Sequence, residues 1–302
     1  MEKIDDTLSL YFHTYFENML AIREIDHVPE EIIFLNPDLS HQDSDYFQSL
    51  GIIIMENSMA ISFNIFDNLY PLCISVVLGM KSIEKLSENE KITLNMASKI
   101  LLCLNGEINT AFTIRKRLVD ENFLQDLSEE MHFVEIICLK FKKSSIAWAY
   151  KFYLVQKIIA KSTEKELFKL FDKEISFLES HLIKHPRNYY AWSHRLLVLK
   201  DLLMKLNKEN QLVLLEKELK GIKKYCEKNI HEYSAFHYLQ FLTKKLRDEN
   251  CIDINEEKAW ILQLILIYEE CYETNQGKYD KNERTVSELF SLKKHMKYLE
   301  QF

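Results

Sequence analysis

An all-α fold, built as a solenoid of helical hairpins, is predicted for this 302-residue chain by three observations. The first is a recurring pair, alanine followed by an aromatic: Ala111-Phe112, Ala147-Trp148, Ala191-Trp192 and Ala235-Phe236, at steps of 36, 44 and 44 residues. A pair returning at such intervals marks stacked supersecondary units, each of which buries its apolar face only against its neighbours. The second is scarcity of turn residues: 5 Gly and 4 Pro, beside a hydrophobic content of 47%. Sheet folds need many tight turns, and nucleotide-binding α/β folds need glycine where backbone meets phosphate. The third is a cation on the same helix face as the aromatic. Arg115, Lys151 and Arg195 follow Phe112, Trp148 and Trp192 by three residues, and Leu239 takes that place after Phe236.

Residues 1–86 are expected to form an N-terminal helical cap, because terminal repeats are atypical. Ile4, Leu8, Tyr11, Phe12, Tyr15, Phe16 and Met19 predict an amphipathic helix from about Lys3 to Ile22. Pro29 and Asn36-Pro37-Asp38 punctuate an irregular passage, and helical periodicity resumes near Ser44 and from about Met55 to Leu78. The apolar run Tyr70 to Met80 is about half of the roughly 20 residues a membrane span needs, and reads as a core helix.

Residues 87–246 hold four repeats, each a helix A, a short turn and a helix B. In the first, helix A runs from about Ser87 to Leu104, Gly106 suits a left-handed cap, and helix B carries Phe112 and Arg115. The second starts at Ser128 as N-cap with Glu129 and Glu130 behind it, and turns at Lys142-Lys143-Ser144-Ser145 before Trp148. The third takes Thr163 to Lys184 as helix A, and the fourth takes Asn210 to Lys228 with a turn at His231-Glu232. Phe112, Trp148, Trp192, Phe236, Arg115 and Arg195 are expected as structural residues of the repeat, packed at the seams between helices. Residues 247–302 form a C-terminal helical cap: a helix near Glu256 to Tyr272 with Trp260, a looser segment Asn275 to Glu283, and a helix with an apolar face of Val286, Leu289, Phe290, Leu292 and Met296. The whole is expected to be one continuous body.

The charge of −7, with acids and bases interspersed, provides no basic stripe for nucleic acid. Cys73, Cys103, Cys138, Cys226, Cys251 and Cys271 are widely spaced, form no C-x-x-C and sit among apolar residues, as reduced core residues of a cytosolic protein would. The opening Met-Glu-Lys-Ile-Asp-Asp lacks the layout of a secretory leader, so a cytoplasmic location is expected. His181 and His185 are four apart but have no third ligand nearby in sequence, so no metal or other cofactor is expected in this chain. H-E-x-x-H, G-x-S-x-G and phosphate-loop motifs are absent, which leaves no independent active site.

The most informative stretch is His185-Pro186-Arg187-Asn188-Tyr189-Tyr190-Ala191-Trp192-Ser193-His194-Arg195. Pro186 turns His185 away from the preceding helix, and the Asn188 side chain is placed to cap a helix starting at about Tyr189. This wording resembles the repeats of the protein prenyltransferase alpha subunit family, over roughly Ser87 to Leu246. The farnesyltransferase and Rab geranylgeranyltransferase alpha chains are its more distant counterparts.

The resemblance implies a right-handed α-α superhelix wrapped around a separate beta subunit, one similar to that of Rab geranylgeranyltransferase. That subunit would hold zinc, the isoprenoid pocket and most of the peptide site. A geranylgeranyltransferase of a third type, modifying a farnesylated SNARE, is the implied enzyme, with this chain inactive alone. In such chemistry a zinc-bound cysteine thiolate displaces diphosphate from an isoprenoid, and a cation beside the leaving group stabilises the transition state. By repeat order and offset the family's diphosphate-binding lysine falls on Lys143, with Arg187 in the equivalent place one turn on. Either could be the principal cation, since Ser144-Ser145 replace the family's Asn-Tyr and Tyr190 stands where farnesyltransferases have histidine. Asn188, Tyr189 and Tyr190 are implied to face substrate or partner, although Asn188 also reads as a cap and only one of the two tyrosines can point outward. The competing function is a non-enzymatic helical-repeat adaptor. Its nearest version, a tetratricopeptide array, recurs at about 34 residues rather than 44.

Overall fold

The structure, a computed structural model, describes residues 31–35, 52–55, 58–79, 83–275 and 283–302, with side chains over 70–79, 83–270 and 290–302. The chain divides into two compact bodies, Met1–Ile158 and Ile159–Phe302. In the first, strands β1 (Glu31–Leu35), β2 (Ile52–Met55) and β3 (Ser58–Ser62) form a sheet in the order β1-β3-β2, with β1 parallel and β2 antiparallel to β3. The sheet corrects the expectation of helix at Met55 and over Ser58 to Ser62, while from Phe63 the chain is helical as expected. Short isoleucine-rich runs such as Ile52-Ile53-Ile54 fit a pleated surface better than a helix, and apolar runs this short do not reveal their period. The helix expected over Lys3 to Ile22 and the periodicity near Ser44 lie outside the described residues.

Everything described after β3 is helix or connection. Helix α1 (Phe63–Gly79) leads through a 3₁₀ turn at Ile83–Lys85 to α2 (Glu88–Leu104), α3 (Asn109–Asp120), α4 (Leu127–Lys140) and α5 (Ser145–Lys161), and the division between the two bodies falls near the end of α5. The second body continues with α6 (Glu164–Lys184), α7 (Tyr189–Lys205), α8 (Lys208–Lys228), α9 (Tyr233–Asp248), α10 (Ile254–Asn275) and α11 (Glu283–Leu299). Thus α2/α3, α4/α5, α6/α7 and α8/α9 are the four expected hairpins, and the repeat array is all-α. Among the described residues no helix is long and apolar enough to cross a membrane.

The helix starts follow from local chemistry. Ser87 and Glu90 close a reciprocal capping box on α2, and at the start of α6 the Glu166 carboxylate accepts from Thr163 N at 2.7 Å. Two starts differ from expectation because a better side-chain acceptor stands upstream. Asp126 rather than Ser128 caps α4, its Oδ1 accepting from Ser128 N at 2.9 Å, and Asn207 caps α8 by accepting from Asn210 N at 2.9 Å. Such caps contribute about 1 kcal/mol each. Gly106 also has a different reason from the left-handed cap expected of it: a Cβ there would run into the Phe141 ring from the next turn. Space, not backbone conformation, excludes larger residues.

The alanine–aromatic pairs are core. Ala111, Ala147, Ala191 and Ala235 are fully buried, and Phe112, Trp148, Trp192 and Phe236 nearly so. The cations beside them are buried as well, each beside a carboxylate. Arg115 makes a bidentate pair with Glu130, Nε donating to Oε1 at 2.6 Å and Nη2 to Oε2, while the Tyr150 hydroxyl donates to Glu130 Oε1 at 2.7 Å. In the second body Arg195 Nε donates to Glu218 Oε1 at 2.6 Å, and the Tyr238 hydroxyl donates to the same oxygen at 2.8 Å. Lys151 pairs with Glu135 at 3.3 Å, and His194 Nε2 meets Glu174 Oε2 at 2.7 Å. Burial alone would push the Glu130 carboxyl up, but the adjoining Arg115 guanidinium outweighs it and holds the group below its ordinary value. The two arginine pairs are interlayer ties: a helix-B arginine bonds the next repeat's helix-A glutamate, which accepts from that repeat's own helix B.

Cys73, Cys103, Cys138 and Cys226 are buried and in no disulfide, as expected, whereas Cys251 is only half-buried. Leu292, His295 and Leu299 form the buried side of α11, but Phe290 is 57% exposed, which corrects its placement on the apolar face. Val286 and Leu289 fall among residues whose side chains are not described. His295 stacks near Phe236 and Tyr298, each at 5.9 Å between centroids. Burial, aided by the Lys223 ammonium, lowers its pKa from 6.5 to about 4. A histidine held neutral this way contributes stability above its unfolded pKa that is lost as the pH falls toward the folded value. Stability is therefore expected to drop by about 1.4 kcal/mol per unit below pH 6.5, down to the range where carboxylates titrate. Urea unfolding of wild type and His295→Leu between pH 7 and pH 5 checks this; equal slopes for the two proteins would contradict it.

Candidate functional site

With the helix-face cations committed to the core, the candidate cations that remain exposed are Lys143 and Arg187, at A–B turns. In the first body the run Lys140-Phe141-Lys142-Lys143 ends α4. Lys140 is not available: its Nζ donates to the Cys103 carbonyl at 2.9 Å, and burial lowers its pKa to about 8. Lys143 is exposed and makes no hydrogen bond or ion pair among the described residues. Ser144, which follows, is buried. Its Oγ donates to the Gly106 carbonyl at 2.7 Å and accepts from Ala147 N at 3.2 Å, so it ties its own turn to the preceding one and caps α5. Trp148 Nε1 donates to the Lys142 carbonyl at 3.1 Å, fixing the turn from the other side. An exposed ammonium thus stands on a rigid loop.

In the second body, Pro186 and Arg187 form the exposed tip between α6 and α7. Arg187 adopts φ 61°, left-handed backbone that non-glycine residues seldom enter. Its guanidinium makes no hydrogen bond among the described residues, while its backbone N donates to Glu232 Oε2 at 2.7 Å. Asn188 is 4% exposed. Its Oδ1 accepts from Tyr190 N at 3.1 Å and its Nδ2 donates to His181 Nε2 at 2.7 Å, so it caps α7 and ties the turn to α6. The cap expected of Asn188 is thus present, and His181, one of the two histidines at metal-binding spacing, belongs to the same scaffold. Tyr189 is 68% exposed and Tyr190 half-buried, their rings edge to face at 5.6 Å. Among the described residues no group of three or more His, Cys, Asp or Glu could hold a metal ion.

Chemically, each body presents an exposed turn-borne cation on a braced loop, Lys143, beside Lys142, in the first and Arg187 in the second. The Arg187 turn adds an exposed phenol. A planar guanidinium there suits two phosphate oxygens at once. Sequence reading missed the residues that brace these turns, Ser144 and Glu232, and the interlayer glutamates. A signal was present: Glu130, Glu174 and Glu218 recur at 44-residue intervals, each 20 residues before Tyr150, His194 or Tyr238, with Glu130 and Glu218 tying successive hairpins and Glu174 bonded to His194 of its own.

The helical hairpins and their buried interlayer ties place the chain in the class of repeat proteins of the α-α superhelix type. The profile of one particular repeat, the protein prenyltransferase alpha subunit repeat, matches residues 171–202 and 215–246. Those segments fall on α6/α7 and α8/α9, so the Arg187 turn lies inside a matched repeat. No curated protein shows significant similarity to the chain.

Proposed function

We propose that this chain is the alpha subunit of a heterodimeric protein prenyltransferase, inactive alone, that positions substrate and lends positive charge to a beta subunit's active site. The observation that carries the reading is the exposed Arg187 guanidinium on a braced turn within a matched prenyltransferase repeat. The beta partner, similar to that of Rab geranylgeranyltransferase, would supply zinc and the isoprenoid pocket. In the transfer, a cysteine thiolate of the acceptor protein forms the C–S bond as the allylic C–O bond to diphosphate breaks. The cation required at the departing oxygens is supplied by Arg187 or by Lys143, and stabilisation is largest in the transition state, where that charge develops. Tyr189 faces the partner or substrate beside it. The proposed reaction is geranylgeranyl transfer by a third-type enzyme, with a farnesylated SNARE as acceptor, in the cytoplasm.

Arg187→Ala or Lys143→Ala in the reconstituted heterodimer, whichever removes the diphosphate cation, is expected to lower kcat by about 10²-fold, the scale of losing one oxyanion-stabilising donor, while both leave complex assembly intact. Steady-state lipid transfer combined with size-exclusion chromatography checks both parts. Wild-type turnover in both variants and in their double mutant would refute the cation role.

A further inference from the structure

At the position immediately before helix B, where Ser144 and Asn188 serve as caps, the fourth repeat has Glu232. Glutamate is a poor N-cap, and Glu232 makes no side-chain capping bond to α9. Its carboxylate reaches back 45 residues, accepting from Arg187 N at 2.7 Å. The residue is 1% exposed, and its Oε1 has no hydrogen-bond partner among the described residues. A buried carboxylate that leaves its own helix uncapped breaks a local rule, and such breaks are retained where another requirement outweighs them. The requirement visible here is the backbone of Arg187. At φ 61° the residue occupies a conformation that persists only when its surroundings hold it, and a charge-assisted bond to its N–H supplies a hold. The equivalent side chain in the first body, Ser144, also reaches the preceding turn, but it bonds the carbonyl of Gly106, whose turn carries no cation.

We propose that Glu232 is a positioning residue for Arg187: by fixing the left-handed backbone of Arg187 from the next repeat, it sets the direction in which the guanidinium is presented to a diphosphate. The inference rests on Arg187 being the diphosphate cation, and it adds that the third repeat's cation is aimed by the fourth repeat. Stacking order and anion binding are thereby coupled in this body.

The informative variant is Glu232→Asp. Aspartate is a good N-cap, so it can turn back to α9 and keep the helix, while a side chain one methylene shorter releases Arg187 N. Selective ¹⁵N-arginine labelling of the full chain reports the Arg187 amide, whose proton is expected far downfield in wild type and in Glu232→Gln, which keeps an acceptor oxygen. Glu232→Asp and Glu232→Ala are expected to move that signal upfield and weaken binding of inorganic diphosphate, followed on the same spectra, by about tenfold, the effect of losing one charge-assisted bond. Unchanged amide position and unchanged diphosphate affinity in Glu232→Asp would overturn the proposal, whatever Glu232→Ala does to folding. If Arg187→Ala binds diphosphate as wild type does, the cation reading fails instead, and the amide signal still reports whether Glu232 fixes the turn.

Discussion

Glu130→Ala is expected to destabilise the chain by about 3–5 kcal/mol, because it strands a buried charge rather than merely deleting a bond. Arg115 is fully buried, and its remaining partners, Ser98 Oγ at 3.1 Å and Asn95 Oδ1 at 3.0 Å, are neutral. Tyr150 loses its acceptor at the same time. The cost should be confined to the uncompensated charge. Replacing the pair together by apolar residues of similar volume, Arg115→Met with Glu130→Leu, is expected to be far milder, since the desolvation penalty of both ions is removed. The pH sign follows from the depressed Glu130 pKa: its contribution is complete above the unfolded value of 4.5 and is lost as the pH falls through the folded one. Chemical denaturation of the two variants checks this; equal losses in both would show that the ion pair itself, not the stranded arginine, carries the stability.

Trp192→Ala is expected to cost a similar amount, about 3–5 kcal/mol, by opening a cavity at a junction of three elements. The indole lies 5.3 Å from the Tyr225 ring on α8 and 6.0 Å from the Tyr238 ring on α9, and the Arg195 guanidinium sits 5.5 Å from it. Removing it takes contacts from both helices of the next repeat as well as from its own. Trp192→Phe fills most of the space and is expected to recover most of the loss, with the difference read as a Tm shift. A Trp192→Ala protein as stable as wild type would mean that the repeat aromatic does not hold the hairpins together.

The array was legible because its strongest signal is periodic. An alanine–aromatic pair and a cation three residues on declare a buried helix face wherever they recur, and Phe112, Trp148, Trp192 and Phe236 are buried accordingly. The strands were not legible, since Ile52-Ile53-Ile54 is too short to display a period and sits beside apolar residues that continue as helix. At the turns, sequence reading anticipates the exposed Arg187, one exposed tyrosine of the pair and Asn188 as the α7 cap accepting from Tyr190 N, but it could not reveal the bond from Asn188 to His181. Nor could it find Glu232, whose partner lies 45 residues away and is a backbone N–H, which no residue type reveals. Gly106 shows the same limit: its need is set by the Phe141 ring of another repeat, not by its own conformation.

Co-expression of the chain with a prenyltransferase beta subunit of the Rab geranylgeranyltransferase kind, followed by light scattering on the purified material, addresses the central claim most directly. The account predicts a stable one-to-one heterodimer that transfers a geranylgeranyl group to a protein cysteine, with neither subunit active alone. A chain that elutes as a monomer in the presence of excess beta subunit, leaving transfer at background, would contradict it.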